Sequence, residues 1–279
     1  MHEAAATMAA VDSHAHVFVR GLPLAPQRRH APDYDAPLAD YLALLDANGV
    51  SHAVLVQPSF LGTDNRFMLD VIGQAPQRLR GVAVVDPNIE EDALNALAQG
   101  GVCGIRLNLI GLPIPDLAQG AWPRLFERVR ALDWHVELHR GARDLELAGQ
   151  PVLDAGCKLV VDHFGRPGDR ADPALSGWLL RAAAGGRIWV KLSAAYRNWP
   201  DPQGPQARAA AQTLLHTFGP DRLLWGSDWP HTQHRDRIDY DATHAALSAW
   251  VPDADARHHI LVETPARLFH FSSEDVHAQ

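Results

Sequence analysis

The stretch that decides the fold is Val11-Asp-Ser-His-Ala-His-Val17, a β-rich run near the beginning of the chain. Side chains alternate between the two faces of a strand, so we expect His14 and His16 on one face, together with Asp12. Two neighbouring imidazoles at the end of a strand can hold a divalent metal or polarise a bound carbonyl. Because the chain has 16 histidines in 279 residues, the His-x-His spacing alone is a weak signal. Its interpretation depends on the segments that follow.

Seven further β-rich runs alternate with amphipathic segments, several of which end at glycines. Counted with the first, the runs are 11–17, 52–58, 79–86, 102–109, 135–139, 158–163, 187–193 and 222–227. Most are continuous apolar runs, which are typical of parallel strands covered on both faces. Together with the lack of a GxGxxG or Walker pattern after any strand, this alternation predicts an α/β fold, a (β/α)₈ TIM barrel. We find no repeat or linker and predict one domain over residues 1–279, with its core at 11–271.

The composition is that of an ordinary globular chain, with 47% hydrophobic residues, 21% charged residues and a net charge of −8. Nucleic acids and anionic membranes both require basic patches on their partners, so we expect neither as a partner. Cys103 and Cys157 lack a metal-binding or redox spacing, which fits a reducing compartment. The first residues lack the cationic segment of a signal peptide, so we expect a cytoplasmic protein. The sequence leaves the oligomeric state open.

Polar side chains stand at the predicted C-terminal ends of the strands, where barrel enzymes carry their active sites. They are His14, His16, Ser59, Arg106, Asn108, His139, His163, Tyr196, Arg197 and Asp228. Histidines from three strand ends and a terminal aspartate are therefore expected to converge on one mouth of the barrel. The long irregular segment 18–37 follows the first strand and is either a lid over this mouth or padding.

Several motifs in the same order resemble the amidohydrolase superfamily, and more narrowly its branch of 2-pyrone-4,6-dicarboxylate hydrolases and lactonases. They are Val11-Asp-Ser-His-Ala-His16, Gly104-Ile-Arg-Leu-Asn108, Asp162-His-Phe-Gly-Arg-Pro167, Lys191-Leu-Ser-Ala-Ala-Tyr-Arg197 and Leu224-Trp-Gly-Ser-Asp-Trp-Pro-His231. The resemblance runs from Val11 to Phe271. It implies a distorted (β/α)₈ barrel that hydrolyses a lactone ester, and the substrate we expect is a small carboxylated lactone from aromatic catabolism.

The resemblance also implies roles for individual residues. Asp228 would be the base that activates water. The carbonyl would be held by His14, His16 and His163, and a substrate carboxylate would be gripped by Arg106 and Arg197. Further candidates for substrate binding at the strand ends are Ser59, Tyr196 and His139.

Two departures from the family's pattern stand out. Pyrone dicarboxylate hydrolases carry an additional arginine a few residues beyond the strand-four arginine, but Leu107-Asn-Leu-Ile-Gly-Leu-Pro113 holds no second cation. This departure questions a dicarboxylate substrate. Near the end of the chain, Thr264-Pro265 replaces the family's usual Asn-Pro, which we expect to affect only packing.

Two charged residues near the strand ends also have structural interpretations. Arg106 could form an ion pair with Asp12 or Glu137 inside the barrel, in place of gripping a substrate. Asp162 precedes His163 directly, and strand alternation is expected to turn it away from the mouth.

The chemistry leaves two mechanisms and three function classes open. Without a metal, Asp228 can accept the water proton while imidazoles donate hydrogen bonds to the oxyanion. With one, His14, His16, His139 and Asp228 offer an N₃O site for Zn²⁺ and leave a position for water. A zinc-dependent non-oxidative decarboxylase of the same superfamily is the second enzyme class. A non-catalytic barrel that binds an anionic metabolite is the third possibility.

Overall fold

Eight parallel strands form one sheet in chain order, in a computed structural model that describes residues 10–167 and 174–271. They are β1 (Val11–Ala15), β2 (His52–Val56), β3 (Leu79–Ala83), β4 (Val102–Asn108), β5 (His135–His139), β6 (Lys158–Val161), β7 (Ile188–Ser193) and β8 (Leu223–Gly226). Nearly every strand residue is buried, as continuous apolar runs require. The predicted (β/α)₈ TIM barrel is confirmed.

The barrel closes at the ends of β1 and β8, and this closure positions the site. The His16 amide donates to the Trp229 carbonyl at 2.7 Å, and the Asp228 amide donates to the His14 carbonyl at 2.8 Å. A Cβ on Gly226 would lie 2.6 Å from the His14 Cβ, so only glycine permits this close approach. The first and last strand ends therefore lie side by side, and they bring His14, His16 and Asp228 together.

Helices connect the strands and cover the outside of the barrel. They are α1 (Leu38–Ala47), α2 (Arg66–Gln74), α3 (Glu91–Gln99), α4 (Trp122–Ala131), α5 (Leu145–Asp154), α6 (Gly177–Ala182), α7 (Pro205–Phe218), α8 (Tyr240–Trp250), α9 (Ala254–His258) and α10 (Thr264–Leu268). The sequence predicts the sixth of these helices over 173–184, stopped by Gly185-Gly186; its start at Pro173 lies outside the described residues. Within residues 10–167 and 174–271, no helix is both long and apolar enough to span a bilayer.

The sequence predicts one last helix over 255–270 against the outside of the barrel, but the structure interrupts it. A π-helical turn, His259–Glu263, separates α9 from α10. Pro265 has no amide hydrogen to donate, which accounts for the irregular turn before it. Thr264 donates its hydroxyl to the Pro220 carbonyl at 3.0 Å and does not line the cavity at the barrel mouth; that the departure from the family's Asn-Pro affects only packing stays a prediction.

The segment 18–37 is docked against the barrel mouth. Phe18 and Ala36 exchange backbone hydrogen bonds of 3.0 and 2.8 Å, and the Ala25 amide donates to the Phe60 carbonyl at 2.8 Å. The Phe18 and Phe60 rings also pack edge to face, 5.0 Å apart. These contacts hold both ends and the middle of the segment, and they place Arg29 at the cavity described below. Its role as a lid stays a prediction.

Candidate active site

Three imidazoles and one carboxylate meet at the C-terminal mouth of the barrel. The Asp228 Oδ1 atom lies 3.7 Å from His14 Nε2 and 3.5 Å from His16 Nε2. The His14 and His163 ring centroids are 4.7 Å apart. His14, His163 and Asp228 are all buried. The structure thus brings together the four residues predicted as catalytic.

Local backbone geometry explains how two of these side chains turn into the mouth. His163 and Asp228 follow the ends of β6 and β8 and adopt positive φ angles of 54° and 59°. This left-handed conformation costs about 1–2 kcal/mol for a residue with a side chain. Strand alternation ends at Val161, so Asp162 is also buried inside the barrel, where its carboxylate lies 3.3 Å from His14 Nδ1. The expectation that Asp162 points away from the mouth is wrong.

The two oxygens of Asp228 have different surroundings. Oδ2 accepts hydrogen bonds from Arg197 Nε at 2.7 Å and from the Tyr196 hydroxyl at 2.5 Å. Burial alone would raise the pKa of Asp228, but the Arg197 charge and nearby imidazoles outweigh it and hold that pKa well below its ordinary value. Tyr196 and Arg197, which we predicted as substrate contacts, thus hold the candidate base. Oδ1 is left facing His14 and His16.

A buried ion cluster lies directly below this site. Arg106 contacts Asp162 at 2.8 Å and Glu137 at 3.3 Å. Lys191 donates to Glu137 and, at 3.1 Å, to His14 Nδ1. Two cations therefore balance two carboxylates, and all four side chains are buried. The ion pair of Arg106 with Glu137 is observed. Sequence reasoning gave Lys191 no role, although this lysine opens the quoted 191–197 motif and is a charge within an apolar strand.

Asp12 does not share the site with the histidines, contrary to the sequence-based expectation. Its carboxylate accepts hydrogen bonds from the Tyr41 hydroxyl at 2.8 Å, the Ser227 amide at 2.9 Å and the Ser227 hydroxyl at 2.6 Å. The register of β1 shifts between Asp12 and Ala15, so simple alternation fails here. Asp12 instead fixes the backbone immediately before Asp228, and it forms no ion pair with Arg106 among the described residues.

The hydrogen-bond partner at Nδ1 of His14 and of His16 indicates which ring nitrogen carries the proton in the neutral imidazole. Lys191 can only donate, so when His14 Nδ1 accepts from it at 3.1 Å, the His14 proton lies on Nε2, facing Asp228; a proton on Nδ1 would instead face Asp162 Oδ1 at 3.3 Å. The Val56 carbonyl can only accept, so His16 Nδ1 donates to it at 2.7 Å. In its neutral form, His16 therefore presents a lone pair at Nε2. With these protons, His14 offers a hydrogen-bond donor at Nε2 and His16 offers an acceptor, both facing Asp228.

Burial keeps the deeper imidazoles neutral. It lowers the pKa of His163 to about 3, and it lowers the pKa of both His14 and His139 well below the ordinary range. The His163 Nδ1 atom lies 2.8 Å from the Ser193 hydroxyl. When this hydroxyl donates, His163 carries its proton on Nε2 and becomes a second hydrogen-bond donor, like His14.

A cavity of about 340 Å³ opens at the mouth. Predicted residues that line it are His16, Ser59, Arg106, Asn108, His139, His163, Arg197 and Asp228; residues that sequence reasoning missed are Arg29, His30, Arg166 and His234. A wider depression of about 910 Å³ adjoins it, and Tyr196 lies on that side. Of the missed residues, Arg166 could have been found, because it stands within the quoted 162–167 motif. Arg29 and His30 could not, because nothing in the sequence shows which part of segment 18–37 reaches the mouth.

The four residues predicted as zinc ligands do not form one site. Among the described residues, potential ligand atoms come within 4.8 Å of one another in three groups: His14, His163 and Asp228; His139, Asp162 and His163; and His14, Glu137 and Asp162. His16 is in none of them, and His139 is not grouped with Asp228, because it lies on β5, beside Arg106. The predicted set of four is therefore wrong.

The first of these groups nevertheless has donors that suit a divalent ion. His14 Nε2 is buried with no hydrogen-bond partner among the described residues. Two imidazoles and a carboxylate are ligands that Zn²⁺ accepts. His14, His163 and Asp228 would thus hold such an ion if one binds.

A closed barrel with imidazoles from two strand ends and a carboxylate after the last strand defines the class of a (β/α)₈-barrel hydrolase. The amidohydrolase family model matches residues 11–271, and the chain belongs to this family. The resemblance inferred from the sequence motifs is confirmed.

Several relatives cover nearly the whole chain. The 4-sulfomuconolactone hydrolase of Rhizobium radiobacter is 36% identical over 275 residues, which cover 92% of this chain and 89% of the relative. The 2-pyrone-4,6-dicarboxylate hydrolase of Comamonas testosteroni is 32% identical over 279 residues, with coverages of 93% and 90%. A crystal structure from Pseudomonas putida, described as a 2-pyrone-4,6-dicarboxylic acid hydrolase, has a TM-score of 0.89 and 45% identity and covers 96% of this chain and 99% of its own.

Proposed function

We propose that this protein hydrolyses the ring ester of a carboxylated lactone, with Asp228 as the base. The observation that carries the proposal is the asymmetry of this carboxylate: Arg197 and Tyr196 fix Oδ2, whereas Oδ1 faces His14 and His16, and His16 lines the cavity. Relatives of at least 30% identity that span most of the chain are named as hydrolases of a muconolactone and of a pyrone. Their names support the same reaction class here.

The side chains can carry each proton transfer that ring opening requires. A water molecule donates one hydrogen bond to Asp228 Oδ1 and one to the lone pair of His16 Nε2. These two contacts aim a lone pair of the water oxygen at the lactone carbonyl carbon. Asp228 takes one proton as the new C–O bond forms. The oxyanion accepts hydrogen bonds from His14 and His163. The ring C–O bond then breaks, and Asp228 returns the proton to the departing ring oxygen.

Arg106 and Arg197 keep one nitrogen each for a substrate carboxylate. Their Nε and Nη2 atoms are engaged with protein acceptors, whereas Nη1 of each has no hydrogen bond among the described residues. Both side chains line the cavity, together with Ser59 and His139. A carboxylate bound at these nitrogens would orient the ring beside Asp228.

Replacing Arg197 tests its action on the base. We expect Arg197→Met to raise the pKa of Asp228, because the cation that favours the carboxylate is lost. In the wild type the pKa of Asp228 is lowered, so Asp228 stays ionised as the pH falls; the variant should lose activity at a higher pH than the wild type, because Asp228 becomes protonated at its raised pKa. We also expect kcat to fall about tenfold or more. The measurement is the pH profile of kcat/KM, with Arg208→Met, an exposed arginine, as control. A change in KM alone would contradict this role.

Chelation tests whether the reaction needs a metal. When bound, a divalent ion would supply Lewis-acid polarisation and a more acidic water. We expect ring opening to persist after chelator treatment, because Asp228 can accept the water proton and the imidazoles can donate hydrogen bonds to the oxyanion without an ion. Elemental analysis before and after treatment accompanies the assay. Activity that disappears with the metal and returns with zinc would contradict the expectation.

A substrate panel tests the function itself. We expect ring opening of 2-pyrone-4,6-dicarboxylate or a muconolactone well above background, and no release of CO₂ from hydroxybenzoates. Release of CO₂ without lactone hydrolysis would instead support the decarboxylase. Tight anion binding without either reaction would support the non-catalytic barrel.

A further inference from the structure

Arg29 reaches the cavity from segment 18–37. Its Nη2 atom donates to the Asn108 Oδ1 atom at 3.1 Å, and its side chain lines the cavity. Asn108 ends β4, two residues after Arg106. The contact therefore places a guanidinium group from a distant loop beside the strand-four end of the site.

The charge of Arg29 is not balanced by a nearby carboxylate. Arg106 is paired with Asp162 and Glu137, and Arg197 is paired with Asp228. Among the described residues, Arg29 has only the neutral amide of Asn108 as a side-chain partner. An amide oxygen orients a guanidinium without neutralising it, so Arg29 remains free to bind an anion.

The electrostatic surroundings of Arg29 agree with this assignment. Burial lowers the pKa of Arg29, and the positive charges of Arg106 and Arg197 lower it further. An anionic group between these arginines would relieve that repulsion. The segment 107–113, by contrast, contains no cation that could serve the same end of the cavity.

We propose that Arg29 is a specificity-determining residue that binds a second acidic group, carboxylate or sulfonate, on the ring of the substrate. The first acidic group binds to Arg106 and Arg197, as in the proposed function on which this inference rests. The substrate is then a dianionic lactone. The missing cation of the strand-four segment is replaced by one from segment 18–37.

Equilibrium binding of unreactive ring acids tests the proposal without turnover. Benzene-1,3-dicarboxylate and 3-sulfobenzoate carry two acidic groups, and benzoate carries one. We expect the wild-type protein to bind at least one dianion about tenfold or more tightly than benzoate, measured by calorimetry. We expect Arg29→Met to weaken dianion binding by about 10- to 100-fold, the usual loss of a charged hydrogen bond, and to change benzoate binding less than about twofold.

The matched control is Arg28→Met, since Arg28 is exposed and donates to the Ala25 carbonyl; its binding constants should equal those of the wild type. Equal losses for all ring acids in Arg29→Met, or no loss, would overturn the proposal. The same holds if the wild type binds benzoate as tightly as both dianions. The tighter dianion identifies the second acidic group. Because no lactone is present, failure of the lactone assay and failure of this binding test are separate results.

Discussion

Replacing Asp228 by asparagine is expected to reduce kcat for lactone opening by about 10⁴-fold, the upper range for loss of a general base. The amide cannot accept the water proton, although its oxygen can still accept hydrogen bonds from Arg197 and Tyr196. The measurement is kcat on the best lactone of the panel. Asp116→Asn, which changes an exposed carboxylate that does not line the cavity, is the control and should retain full activity.

Folding and binding have to be followed in the same Asp228→Asn sample. Near-native far-ultraviolet circular dichroism and binding of benzene-1,3-dicarboxylate within a few-fold of the wild type are expected. Such data would separate a chemical defect from a folding defect. Residual kcat within about tenfold of the wild type would remove Asp228 as the base.

The second large effect is expected on stability. Arg106→Met leaves Asp162 and Glu137 buried with Lys191 as their remaining cation, and loss of one partner from a buried ion cluster typically costs about 3–5 kcal/mol. The measurement is the free energy of unfolding from urea titration. Arg66→Met is the control, because the Arg66–Asp64 pair is exposed and such pairs contribute about 0–1 kcal/mol.

The pH dependence of the Arg106→Met defect provides a further check. Burial and the neighbouring Asp162 raise the pKa of Glu137, and a protonated Glu137 no longer needs a cationic partner. The stability difference from the wild type is therefore expected to shrink as the pH falls. If Arg106→Met costs less than about 1 kcal/mol, the buried ion cluster would not be what stabilises the interior of the barrel, whatever the variant does to KM.

The barrel and the central site were predictable from the sequence for definite reasons. Continuous apolar runs identify parallel strands, and the common location of barrel active sites turns scattered strand ends into one site. On this basis, the sequence places His14, His16, His163 and Asp228 in one site.

The failures come from places where a simple periodicity ends. Strand alternation does not predict the side-chain direction of Asp12, because the register of β1 shifts there. It does not predict that of Asp162 either, because Asp162 follows the end of β6. The zinc set failed because strand order does not tell which side chains meet across the barrel, so His139 was grouped with Asp228. Arg29 was missed because a long irregular segment has no periodicity from which its contacts could be read.

The measurement that tests the central claim most directly is a single turnover of 2-pyrone-4,6-dicarboxylate by the wild-type enzyme in oxygen-18 water, with mass analysis of both product and protein. Activation of water by Asp228 predicts one labelled oxygen in the new carboxylate of the product and no label in the protein. An unlabelled product together with labelled Asp228 would show nucleophilic attack by the carboxylate, and an intact pyrone would contradict the assignment of this substrate.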